Sequence, residues 1–278
     1  MTATWSFTDL EFKVLWERHT DAPLPEPFVY KCRIEYDSDY ERAKYQTWER
    51  LRATMDRSFD GVLDTVARPD VVVTAFGWCD DEMENPAKRL WVHAARAGAQ
   101  AYVLTQLPGE TIQHSGGFTV TECEPRDLAT AVVATLPAVA AGRLPSVAIV
   151  TEEAKPEQLF GLGRPLIADD GEETAGARSL RFLSAQATTT GVISIRQGYS
   201  KFGPRGVLEQ LLLWRDLTDD GRYVIPLDGA PVAVGIGAKR LARLVDDSID
   251  VVVDRLETHW ETGDALPQGG FRHAGAAW

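Results

Sequence analysis

Three observations predict an α+β fold for this chain, with one wide central antiparallel sheet covered by helical layers. Strand-like runs come in meanders joined by short turns, as in LLLWRDLTDDGRYVIPLDGAPVAVGIG over 211–237. A rougher version, RLWVHAARAGAQAYVLTQLPGETI, occupies 89–112. Each meander lies between stretches with helical spacing, and an antiparallel meander needs such cover on at least one face. In the first, Trp91 is followed by Tyr102, Val103 and Leu104; in the second, Trp214 is followed by Tyr223, Val224 and Ile225. A hairpin turn (Pro108–Gly109, Asp228–Gly229), a short strand and an amphipathic helix then close each unit. The expected organisation is a single domain over 1–262, built of quasi-twofold halves at about 5–141 and 178–260. A connector over 142–177 joins them, and 263–278 is a disordered tail.

The elements follow in order. TWSFTDLEFKVLWERH reads as a short strand running into a helix, with Thr8 and Glu11 at capping-box spacing. APLPEP breaks that helix, because proline lacks a donor and restricts its predecessor. Residues 28–36 alternate and predict a second strand. Tyr45, Trp48, Leu51 and Met55 give 37–57 helical spacing; Val62, Leu63 and Val66 mark a short amphipathic helix before a strand from Val71 to Trp78. CDDEMENPAK is an exposed acidic turn. Strands over 89–96, 101–106 and 118–121 follow, with Gly98 and Pro108–Gly109 at the turns. Pro125 then opens a helix whose stripe is Leu128, Val132, Leu136 and Val139.

The connector carries a short strand at 147–150, a helical turn near Leu159 and an apolar tip, LFGLGRPLI. The second half reads as a helix ending at 180–185, strands over 188–200, 207–217 and 222–227, a type I′ hairpin at Asp228–Gly229, and a return strand over 231–235. Pro226 places its part of the strand at an edge or bulge. A long helix over 239–260 closes the half, with Leu241, Leu244, Val245, Ser248, Ile249, Val252 and Leu256 on one face.

Composition narrows the function classes. A net charge of −12 over 278 residues repels phosphate backbones and anionic lipids, so nucleic acid and membrane surfaces are not expected partners. No segment reaches the roughly 20 apolar residues of a membrane helix, and the N-terminus lacks a basic, apolar leader. Cys32, Cys79 and Cys123 are scattered and odd in number, as expected of reduced thiols in a cytoplasmic protein.

Catalytic signatures do not assemble. The five histidines form no HxH or HExxH set, no GxSxG elbow occurs, and no carboxylate pair is nominated. GLGRP (161–165) and GIGAKR (235–240) depart from phosphate-loop patterns, although the second precedes a helix. No catalytic residue, metal or cofactor is expected. The alternative is a small-molecule-binding protein or enzyme with a pocket between sheet and helices, in which His93 or 235–240 would matter. KFGPRG (201–206) stands out as a basic, aromatic loop in an acidic chain.

The order of WSFTDLEFKVLWERH, LPEPF, FDGVLDTVARPDVVVTAF, AQAYVLTQLPGETI, TTTGVISIRQGYSKFGPRG and LLLWRDLTDDGRYVIPLDGAPVAVGIGAKRLARLV resembles the EspG family, secretion-associated chaperones of type VII (ESX) systems. The resemblance spans about 5–256. It implies a central antiparallel sheet flanked by N- and C-terminal helical bundles in quasi-twofold arrangement. It also implies a cytoplasmic, non-enzymatic chaperone that binds the apolar tip of the PPE partner in a PE–PPE heterodimer. The chaperone itself is expected to be a monomer or weak homodimer. Partner contact is expected at Ile193, Ile195, Gln197 and Tyr199, at Phe202 and Arg205 in the loop, and at Leu241, Leu244 and Ser248, with a first-half loop at 37–44 contributing. The acidic 80–84 insertion and the extended tail depart from the family pattern.

Overall fold

A computed structural model describes residues 3–56, 58–150, 174–200, 203 and 206–262. The first part of the chain gives β1 (Thr4–Phe7), α1 (Asp9–His19), α2 (Asp37–Thr54), α3 (Ser58–Ala67), β2 (Val71–Trp78), β3 (Leu90–Ala97), β4 (Gln100–Pro108), β5 (Ser115–Cys123), α4 (Leu128–Ala134) and β6 (Val147–Ala148). Then follow α5 (Ala175–Ser184), β7 (Ala187–Gln197), β8 (Glu209–Leu217), β9 (Arg222–Pro226), β10 (Val232–Gly235) and α6 (Ala238–Thr262). The fold is α+β. Ten strands form one sheet in the order β1-β5-β4-β3-β2-β7-β8-β9-β10-β6, and every strand pair is antiparallel.

Alternation along the strands sends side chains to opposite faces, and different helices cover each face. On one face Val71, Val73, Ile193, Ile195 and Trp214 pack with α4 and α6. On the other, Trp91, Tyr102, Leu104 and Phe118 pack with α1, α2 and α3, while Tyr223 and Ile225 pack with Phe182 of α5. Aromatic contact concentrates under α1: the Phe12 and Phe118 rings stack with centroids 4.5 Å apart, and Phe28 meets Phe118 edge-on at 5.1 Å.

The sheet's centre is held by an aromatic laid over glycines. Gly77 and Gly191 face each other across β2 and β7, and Gly191 also faces Trp214 of β8. A Cβ at Gly191 would stand 2.2 Å from the Trp214 ring, and one at Gly77 would stand 3.0 Å from it. The two missing side chains are what let the indole lie fully buried against the sheet.

Local signals were honoured where the chain decides locally. Thr8 accepts from Glu11 N at 3.2 Å, and Glu11 Oε2 accepts from Thr8 N at 2.8 Å, so the capping box is complete. The strand from Val71 to Trp78 forms as expected. Gly98 turns the β3–β4 hairpin at φ +55°. The α6 stripe is buried at Leu241, Val245, Ser248, Ile249, Val252 and Leu256. At Pro226 the ladder toward β10 has ended, since β9 and β10 pair only at Val224–Val234 and Tyr223–Gly235.

Several expectations are corrected. Residues 28–36 form no strand; Val29 N donates to the Gln106 side chain at 2.8 Å, and the Arg33 side chain is tied to Glu110, contacts made through side chains and not through a ladder. The segment 37–44 is the start of α2, not a loop. α4 ends at Ala134, short of Val139, because Pro137 cannot continue it. Between β9 and β10 the chain makes a five-residue loop rather than a two-residue type I′ turn, with Gly229 at φ +85°. The 80–88 segment is two short 3₁₀ turns, and Asp80 is not merely solvated: it accepts from Arg215 and Thr190. Leu159, the LFGLGRPLI tip, GLGRP and the 263–278 tail lie outside the described residues. Among the described residues no helix is long and apolar enough to cross a membrane.

Candidate partner-binding groove

The residues nominated from sequence occupy different depths. Ile193 and Ile195 are buried where β7 meets α6, and Leu241 is buried on the facing side of that helix. Gln197 is also buried; its Nε2 donates to Tyr199 O at 2.7 Å, and its backbone N donates to Leu208 O at 2.8 Å, closing the end of β7. Ser248 turns its hydroxyl back onto Leu244 O at 3.0 Å. Ile193, Ile195 and Leu241 pack in the core that seats α6 on the sheet, and all five side chains present little surface. Tyr199, 45% exposed, and the half-buried Leu244 are the nominated residues that reach solvent. Phe202 and Arg205 lie outside the described residues.

The two solvent-reaching residues are not neighbours. Arg255, toward the end of α6, donates to Gly206 O at 2.8 Å, which anchors Gly206 and the lead-in to β8 to the C-terminal part of the helix. Leu244 belongs to its N-terminal part. With a rise of about 1.5 Å per residue, Leu244 and Arg255 stand roughly 16 Å apart along the helix.

Beside Leu244 lies an open groove of about 380 Å³ between α6 and the outer strands β9 and β10. Its floor is apolar: Val224 and Pro226 of β9, Val234 of β10, and Ile236. The helix supplies the wall, with Leu244 facing inward and Arg240, Arg243 and Asp247 at the rim. These four helix positions recur at i, i+3, i+4 and i+7, one stripe of α6. The groove exists because β10 is only four residues long and its ladder to β9 stops at Pro226. Sequence reasoning found Leu244 by periodicity but not the groove, whose floor comes from two strands paired through few residues.

Elsewhere the polar chemistry is structural. Arg215 of β8, 5% exposed, donates to Phe182 O, Leu183 O and Ala185 O at 2.7–2.8 Å and to Asp80 at 3.2 Å. It thereby satisfies the free carbonyls at the end of α5, where a cation is also favoured by the helix dipole. Arg222 and Asp216 form a fully buried two-pronged pair, Nε to Oδ1 at 2.7 Å and Nη2 to Oδ2 at 2.8 Å. Asp220 accepts from Tyr223 and from Arg143 and Leu144 backbone, which holds its carboxyl down at about 2. Arg33 likewise holds Glu110 at about 2.

His93 is buried with Nδ1 donating to Glu26 O at 2.6 Å, and its Nε2 has no hydrogen-bond partner among the described residues. Desolvation pushes its pKa down to about 4, with the nearby Arg196 charge acting the same way. It is therefore a neutral imidazole packed beside Phe28, at ring centroids 6.0 Å apart. In 235–240, Ile236 N already donates to Arg222 O at 3.0 Å, and Gly235 approaches Gly142 too closely to admit a Cβ. Among the described residues no group of three His, Cys, Asp or Glu side chains is gathered to hold a metal.

The fold and groove define a class: an α+β protein with one broad antiparallel sheet, helices on both faces, and an apolar trough along its last helix. The chain belongs to the EspG family, whose model matches residues 8–247. No curated protein matches it in sequence. Among solved structures it is similar to a chain of the complex between the Mycobacterium tuberculosis type VII secretion system chaperone EspG5 and the PE25–PPE41 dimer. That similarity has 15% identity and a TM-score of 0.53, and it covers 91% of this chain and 96% of that one.

Proposed function

We propose that this chain is a cytoplasmic chaperone of a type VII secretion system. It covers the exposed apolar tip of a PE–PPE-type substrate, keeps the substrate soluble and hands it on for export. Family membership over 8–247 carries the reading. The solved complex of EspG5 with PE25–PPE41 supplies the partner class.

The physical task is simple. An apolar helical tip left in water drives aggregation, and a complementary trough removes that surface reversibly. In this reading contact falls on the groove floored by Pro226 and Val234 and walled by Leu244, with the exposed Tyr199 as a further contact; Phe202 and Arg205, also nominated from sequence, lie outside the described residues. Ile193, Ile195, Leu241 and Ser248 act from beneath, on α6 and the strand under it, while Gln197 closes the end of β7. No step of bond making or breaking is assigned to the chain.

The proposal includes an internal duplication within one domain. The order α3-β2-β3-β4-β5-α4 is matched by α5-β7-β8-β9-β10-α6, and the central pair β2–β7 has the sequence β3-β4-β5 on one side and β8-β9-β10 on the other. In this reading α1–α3 and α6 belong to the two end bundles.

Co-expression tests the function. A panel of PE–PPE pairs is produced with and without this chain, and soluble yield and co-purification are measured. The expected outcome is at least one pair that becomes soluble only as a heterotrimer. Failure of every pair to co-purify would remove the proposal.

A further inference from the structure

The charge on α6 runs against its own dipole. No acidic residue lies in its first turn, and Lys239, Arg240 and Arg243 occupy its opening turns, whereas Asp246, Asp247, Asp250 and Asp254 come later. The N-terminal end of a helix carries partial positive charge, so cations there are repelled. α1 and α2 obey the usual preference: Asp9 and Glu11 open α1, Asp37 and Asp39 open α2, and Arg18 and Arg52 lie in their last turns. The whole chain has a net charge of −12, so this is not a surface with positive charge to spare. Arg240 and Arg243 are exposed, and neither has an ion-pair partner among the described residues. Both stand on the rim of the apolar groove, on the stripe that holds Leu244.

We propose that the groove takes an apolar helical tip flanked by carboxylates, with the apolar part against Pro226, Val234 and Leu244 and the carboxylates on Arg240 and Arg243. This rests on the chaperone reading and adds to it the chemistry of the tip. Guanidinium forks donate to carboxylates in two-pronged geometry and discriminate against cations by repulsion. Asp247, two turns along the same stripe, repels a carboxylate at its end of the groove, so the tip has one favoured direction. The rim charges set selectivity and encounter rate, while the apolar floor supplies affinity.

The test uses the full chain and two fluorescein-labelled synthetic helical peptides. They share one Leu- and Phe-containing tip, flanked by Glu in one and by Lys in the other. Binding is read by anisotropy at 50 and 500 mM salt. The Glu peptide should bind at least about tenfold tighter at low salt, and the gap should close at high salt, where screening is strong. R240E/R243E should invert the preference without lowering the melting temperature, since neither arginine makes an ion pair among the described residues and the helix dipole disfavours cations there. L244D should weaken both peptides. Equal affinities, no binding of either peptide, or a preference that R240E/R243E leaves intact would each overturn the inference. The two claims fail separately. A PE–PPE pair captured equally by wild type and R240E/R243E removes the carboxylate preference and leaves the chaperone reading. A Glu-peptide preference with no pair captured removes the reading and leaves the preference.

Discussion

Replacing Asp216 by alanine should be among the most damaging single changes in the protein. Asp216 and Arg222 are buried, and among the described residues the guanidinium keeps only the Pro137 carbonyl, 2.8 Å from Nη2, once the carboxylate is gone. Removing one partner of a buried ion pair leaves an uncompensated charge and costs about 3–5 kcal/mol. The backbone of Arg222 is also a junction: its N–H donates to Ala140 O at 2.8 Å, and its carbonyl accepts from Gly142 and Ile236 at 3.0 Å. A shifted Arg222 therefore loosens the chain segment after α4 as well as β9 and the lead-in to α6. At roughly 2–4 °C per kcal/mol for a large domain, Asp216→Ala should lower the melting temperature by about 6–20 °C. The control is D216L/R222M, which removes both charges and keeps the volume apolar; it should recover most of the loss, because paired burial itself contributes little net stability. Urea unfolding and calorimetry read both variants. A loss below about 1 kcal/mol for Asp216→Ala, or a double variant as weak as the single, would refute the reasoning.

The glycine pair under Trp214 gives a steric counterpart. Gly191→Ala places a Cβ 2.5 Å from the Phe76 carbonyl as well as against the indole, and overpacking of this kind costs about 1–3 kcal/mol or more. Gly176→Ala in α5 meets nothing within 4 Å and should be neutral or stabilising by up to about 1 kcal/mol, so equal effects at the two sites in urea titrations would reject the packing argument. His93 adds a pH dependence. Its folded pKa of about 4 lies below the unfolded value, so the unfolded chain binds the extra proton between the two. Its contribution is complete above the unfolded value near 6.5 and is lost as pH falls toward about 4, on the order of 3 kcal/mol. His93→Gln should flatten that part of the stability-against-pH curve, and an unchanged slope would show that burial of this imidazole is not the cause.

What could be read from the sequence was what the chain decides over a few residues. Thr8 and Glu11 set a helix start by themselves, Val71 to Trp78 is a continuous strand run, and the α6 stripe repeats over about four turns. Residues 28–36 alternate like a strand, but their backbone is taken up by Gln106 and their charge by Glu110, each 77 residues away in the chain. No local pattern encodes that. Asp80 looked like one acid in a solvated loop because its partner Arg215 is 135 residues distant. The same limit governs the groove. Periodicity selected Leu241, Leu244 and Ser248 together as one apolar face, and burial then separated them: two face the sheet, and Leu244 lies at the margin where the sheet runs out of cover. Distinguishing seat from surface needed the short β9–β10 ladder and the proline that ends it.

The central claim is that the trough beside the N-terminal part of α6 shields an apolar tip of a PE–PPE substrate. Hydrogen–deuterium exchange on a co-expressed heterotrimer, compared with the free chain and the free pair, tests it most directly. The account predicts new protection over residues 224–247 of this chain and at the apolar tip of the PPE partner. Protection confined to the opposite face at α2, or a PPE tip that exchanges as fast in the complex as alone, would contradict it.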